Sequence, residues 1–191
     1  MAWKTSPRID VKLARQVVKL KHKGVKFPGF ATYFEEQRIL WSAQAAEDHL
    51  PWYIAHAERE IRETRRDLLK GIVAIAGVLT WKGLDADAIF AELGFGPAKS
   101  FKKFDDATLA SEALRLRSGF YRKKREHRHA VTLGVRLNAE KIQDRLRSLP
   151  GMRKRLAGAR VTATARVKRW KVALEKFRKS AERAGVKIRG L

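Results

Sequence analysis

The sequence contains no cysteine, so no disulfide, thiolate zinc site or cysteine nucleophile can be built from it. Burial and polar contacts alone must hold the fold, and the absence accords with a reducing compartment, so the expected location is cytoplasmic. Long apolar runs are missing as well. The most apolar stretch, Gly71 to Trp81 (GIVAIAGVLTW), has eleven residues, whereas a membrane-spanning helix needs roughly 20. It reads as a buried core helix, and no membrane partner is expected. After Met1 the segment Ala2 to Arg8 has no apolar stretch of signal-peptide length, which points away from secretion. The five prolines and 13 glycines fall mostly where one helical pattern stops and the next begins.

Acidic residues are also scarce: 20 Asp and Glu face 43 Lys and Arg, a formal net charge of +23 at pH 7. Such an excess speaks to partners rather than to fold, because its field concentrates polyanions around the molecule. Nucleic acid is the first candidate, ahead of an anionic membrane face or an acidic protein. At 45% hydrophobic residues the chain has enough apolar material for a packed core, unlike a disordered basic tail.

The pattern is helical throughout. Ser6-Pro7 makes a good helix start, followed by Ile9, Leu13, Val17 and Leu20 at helical spacing and a stop near Lys23-Gly24. Gly24 to Phe30 reads as a loop, since Pro28 lacks an amide hydrogen. Helical periodicity returns from Thr32 to about His49, and Pro51 marks a new start, running to Trp81 with Gly71 and Gly77 inside. Asp85 to Leu93 is a short helix. Asp105 or Asp106 caps the next, with Leu109, Ala113, Leu116 and Phe120 on one face. Asn138 caps a helix to Leu149, which Pro150-Gly151 separates from the last. There Met152, Leu156, Ala159, Ala163, Val167, Trp170, Leu174, Phe177, Ala181 and Ala184 form a stripe built for burial. No period-two alternation appears. The expectation is an all-α fold, a helical bundle of about six helices with a long basic C-terminal helix.

The charge is segregated along the chain, with balances of +7 for residues 1–30, −4 for 31–98 and +20 for 99–191. Residues 1–98 are therefore read as a helical region with a basic first helix and a near-neutral part holding Trp41, Trp52 and Trp81, suited to a core or a protein contact. Residues 99–191 form a strongly basic helical region, either separate or continuous with the first. Two clusters are the candidate nucleic-acid-binding residues. The first comprises Arg115, Arg117, Arg122, Lys123, Lys124, Arg125 and Arg128. The second comprises Arg153, Lys154, Arg155, Arg160, Arg166, Lys168, Arg169, Lys171, Arg178 and Lys179, with Lys176 and Arg183 beside them. At about 100° per residue the second set surrounds every side of its helix except the apolar stripe. Phe27, Phe30 and Tyr121 are candidate stacking aromatics.

Signs of catalysis are absent. His127 and His129 point to different helical faces, and His49 and His56 lack the i,i+4 spacing of a helical zinc pair. Gly94-Phe95-Gly96-Pro97 lacks the Lys-Ser/Thr ending of a phosphate loop. No catalytic residue, metal, cofactor or small-molecule substrate is expected. No zinc finger, basic zipper or clear helix-turn-helix stands out either. The expected function is non-enzymatic binding of RNA or DNA through the phosphate backbone, without strong sequence preference. The general type, a small basic helical chain with a neutral middle and charged ends, is shared by ribosomal proteins, phage and plasmid nucleoproteins and small helical subunits of CRISPR effector complexes. A subunit of a prokaryotic or phage-derived nucleoprotein complex, in contact with other protein subunits, is the expected role. The alternative is a regulator or inhibitor whose basic surface covers an acidic or nucleic-acid-binding partner.

Overall fold

The computed structural model describes residues 11–26 and 28–186. Among them every regular element is helical: α1 (Val11–His22), α2 (Phe30–Trp81), α3 (Ala86–Glu92), α4 (Asp106–Lys123) and α5 (Leu133–Arg183), with 3-10 helices at Ala98–Lys103 and Arg125–Ala130. The all-α class and the long C-terminal helix are as expected. The helix start at Ser6-Pro7 and the loop residue Phe27 lie outside the described residues.

Two helix boundaries differ from expectation for a physical reason. α2 continues through Pro51 and α5 through Pro150, so four expected helices are two, of 52 and 51 residues. An interior proline costs about 3 kcal/mol, and burial on both sides offsets it. Leu40, Ala43 and Leu50 before Pro51, and Ala57, Ile61 and Leu68 after it, are all buried on one continuing stripe. The Asn138 cap is likewise overridden, because α5 is helical from Leu133.

The chain divides into two compact units, one of residues 1–52 with 152–191 and the other of residues 53–151. Pro51 and Pro150-Gly151 sit at the two boundaries. The residues read as helix breaks thus coincide with the boundaries of the two units. The units run across residue 98, the boundary drawn from charge.

In the first unit, α1 packs with residues 30–52 of α2 and residues 152–183 of α5. Phe177 stacks on Tyr33 with centroids 4.9 Å apart and lies 5.6 Å from Phe30, and Val17 of α1 joins that cluster. Leu40 and Ala43 meet Ala163. Rising numbers in α2 meet falling numbers in α5, so the two helices run antiparallel here. The stripe of α5 is inward as expected, from half-buried Met152 to buried Ala181; Ala184, beyond the helix end, is exposed. Trp170 packs against both clusters.

In the second unit the antiparallel pairing recurs, with Ala57 and Ile61 on Leu149 and Gly71 facing Val135. Chain between the two long helices completes the core. Phe90 of α3 meets Phe101 and Phe120 edge-on at 6.3 and 6.2 Å. Asp85 and Asp105 cap α3 and α4, accepting the amides of Ala88 and Thr108. Gly94, at φ 81°, turns the chain out of α3 in a conformation that side chains disfavour. Arg65 fastens the connection, donating to Asp106 at 2.9 Å and to the carbonyls of Phe104 and Lys102 at 2.7 and 3.1 Å. Within the apolar run Ile72, Ile75 and Leu79 are buried, as a core helix requires. The tryptophans of the near-neutral stretch are not core: Trp41, Trp52 and Trp81 are 49%, 62% and 84% exposed. No helix among the described residues is long and apolar enough to cross a membrane.

Candidate nucleic-acid interface

The first unit gathers both basic ends of the sequence. Its segments hold 23 of the 43 Lys and Arg but only seven of the 20 Asp and Glu, a balance of +16 against +7 for the second unit. Each described carboxylate in it is already engaged. Glu36 accepts from Arg166 at 2.8 Å, Glu47 lies 3.9 Å from Arg160, and Glu35 is clamped by Arg38 at 2.7 Å. Glu175 and Glu182 pair along α5 with Lys179 and Arg178, and Asp48 is also engaged. The hydrogen bond from Arg38 holds the Glu35 carboxyl below its ordinary pKa. No internal anion remains for the other cations.

These pairings sort the second candidate cluster. Arg166 ties α5 to α2 through Glu36, whereas Arg160 stays 60% exposed at 3.9 Å from Glu47. Arg153 is engaged too. Arg178 and Lys179 make exposed i,i+4 pairs, each worth only about 0.3–0.5 kcal/mol, which a phosphate can displace. Lys154, Arg155, Lys168, Arg169 and Lys171 are exposed and make no ion pair or hydrogen bond among the described residues. Lys176 belongs with them. Alongside Lys168 and Arg169 it borders a groove of about 390 Å³ floored by Val172 and Ala173.

α1 adds further exposed cations to the first unit. Val17 and half-buried Leu20 seat α1 on the Phe177 cluster, so exposed Arg15, Lys19, Lys23 and Lys26 belong to the same unit as the C-terminal cations. Lys21 lies 3.9 Å from the ring centre of Phe34. The Val17–Leu20 stripe was the signal in the sequence, but it did not name the surface it would meet.

The first candidate cluster, in the second unit, also splits. Arg115 bonds Glu112 and the Gly94 carbonyl and covers the Phe95 ring at 4.2 Å, so it braces the α3–α4 region. Lys124 is paired with Glu92, whose hydrogen bond raises the lysine pKa. Arg117 lies over the Tyr121 ring at 4.5 Å, which occupies one face of that half-exposed aromatic. Arg122, Lys123, Arg125 and Arg128 are exposed and without a partner among the described residues. They crowd the end of α4, where the helix dipole favours positive charge. Phe30 is buried and leaves the list of stacking aromatics.

The histidines are not brought together. His129 lies 2.5 Å from Lys82 Nζ, and His127 faces Glu126 at 3.6 Å. His56 is 3.9 Å from Glu60, but Lys141 and Arg145 take that carboxylate at 3.3 and 2.7 Å. Partial burial opposes ionisation of Glu60, and the hydrogen bonds and charges of Lys141 and Arg145 outweigh it, holding its pKa below the ordinary value. No cluster of three or more His, Asp or Glu placed to hold a metal ion occurs among the described residues. Comparison of the chain with protein-family models, curated proteins and solved structures gives no match.

Proposed function

We propose that the protein is a non-enzymatic nucleic-acid-binding subunit that grips the phosphate backbone with little sequence preference, within a prokaryotic or phage-derived nucleoprotein complex. One observation carries the reading: in the first unit every described carboxylate is engaged while Lys154, Arg155, Lys168, Arg169, Lys171 and Lys176 stay exposed and unpaired. Such a surface is neutralised only from outside. A polyanion does so with release of its condensed counterions, which makes binding strong at low salt. The unpaired side chains that remain are lysines and arginines, which suit phosphates, and contacts to phosphate carry no sequence information.

Exposed Trp41 and Trp52 on α2 suit the protein side of such a complex, since tryptophan is enriched in interface cores. The competing reading, a regulator that covers an acidic partner, shares the cations but not the preference for phosphate. Fluorescence anisotropy separates the two. Labelled nucleic acids of unrelated sequence and equal length are expected to bind with affinities within about threefold of each other. Absence of binding at low salt, together with capture of an acidic protein partner, favours the regulator.

A further inference from the structure

α5 carries two pairs of unpaired cations on its outward side, Lys154-Arg155 and Lys168-Arg169. Fourteen residues separate Lys154 from Lys168, which at about 1.5 Å per residue is about 21 Å along the axis and brings the two within about 40° of each other around the helix. Between the pairs the outward residues bear no charge and little bulk. They are Ala157, Gly158, Val161, Thr164 and Ala165, all exposed, with Val161 at 70%. Two cations lie within the span and both turn toward α2: Arg166 bonds Glu36 at 2.8 Å, and Arg160 lies 3.9 Å from Glu47. Thr164 spends its hydroxyl on the Arg160 carbonyl at 3.0 Å.

Resting on the phosphate-binding reading above, we infer that the ligand is double-stranded DNA and that residues 156–167 of α5 cross its major groove. The dimensions match. That groove is about 12 Å wide and about 8.5 Å deep, so a 21 Å spacing leaves about 4–5 Å at each end for extended Lys and Arg to meet the two flanking backbones. Four unpaired cations sit where the phosphates pass, and the helix is slim where the groove walls close on it. With the Thr164 hydroxyl occupied and its other neighbours apolar, the span presents few groups able to read base edges, so binding is sequence-tolerant. Duplex RNA offers no equivalent seat, because its A-form major groove is deep and narrow. A single strand has no second backbone to meet the distant pair.

The test uses the full chain and a duplex of about 20 base pairs, with duplex RNA and single strands of the same sequence and length. Wild-type protein is expected to bind duplex DNA about tenfold more tightly than either alternative. Ala157→Trp with Ala165→Trp fills the slim span without changing charge. It is expected to lower duplex DNA affinity about tenfold and leave single-strand affinity within about twofold. Helicity and melting temperature verify that the variant is folded. A measurement independent of variants is competition on wild type: methyl green, which occupies the major groove, displaces the protein, and netropsin, which occupies the minor groove, does not. Equal binding of duplex DNA by wild type and the double variant, displacement by netropsin alone, or preference for RNA or single strands overturns the groove assignment while phosphate binding stands. Failure of wild type to bind any nucleic acid at low salt overturns the phosphate reading itself.

Discussion

Trp170 shows how burial and charge compete for one stretch of α5. It lies between Arg169 and Lys171, yet its ring packs against both apolar clusters of the first unit. Trp170→Ala is therefore expected to cost about 3 kcal/mol of stability, read from denaturant unfolding; a variant of full stability that no longer binds nucleic acid marks it as a stacking residue instead. Arg166 is a second case. Its bond to Glu36, which is only 14% exposed, makes it part of the fold, so Arg166→Glu sets two carboxylates together and is expected to cost about 3 kcal/mol. Reversing neighbouring Lys168, Arg169 and Lys171 is expected to change stability by only about 0.5 kcal/mol each. Asp105 adds a pH dependence. Backbone and side-chain hydrogen bonds from Thr108 lower its pKa, so its contribution is complete above the ordinary carboxylate range and is lost as pH falls through the lowered value. Asp105→Ala is expected to lower the melting temperature at neutral pH and to narrow the gap to wild type below about pH 4.

At the scale of the element, the glycines of the long helices divide by what surrounds them. A Cβ at Gly158 meets nothing within 4 Å, whereas one at Gly71 comes within 3.0 Å of Val135 Cγ2. Gly158→Ala is expected to stabilise by about 0.5–1 kcal/mol through helix propensity, and Gly71→Ala to lose that gain by prying α2 from α5. Thermal unfolding of the two variants checks both signs. The same elements explain what the sequence made legible. The inward stripe of α5, the short helix ending near Leu93 and a cap at Asp105 or Asp106 are local signals, and each appears close to where its spacing indicates, with Asp105 as the cap. Pro51 and Pro150 misled because propensity is a local quantity: burial flanking each proline, supplied by residues far off in sequence, outweighs the lost hydrogen bond. The candidate cations were legible as a class but not one by one. Whether Arg115 braces Gly94 or faces solvent, and whether Arg166 meets Glu36, depends on pairings across 21 and 130 residues that no window of periodicity contains. For Trp41, Trp52 and Trp81 the sequence left core and protein contact open, since hydrophobic character is common to both, and their exposure removes the core reading.

For the molecule as a whole, the sequence separates its basic ends by more than a hundred residues, and folding gathers them into one unit with balance +16. Reversing Lys168, Arg169 and Lys171 is accordingly expected to weaken nucleic acid binding for every sequence alike and to flatten the salt dependence by about one unit of slope per lost contact. Reversing Arg122, Lys123 and Arg125 in the second unit tests whether the smaller cluster shares the ligand. The most direct measurement of the central claim is the affinity for duplex DNA across a salt series. With the six unpaired cations of α5 each meeting a phosphate, log affinity is expected to fall against log salt with a slope of about −5. A slope near zero contradicts the account, because it means that these cations meet no phosphates.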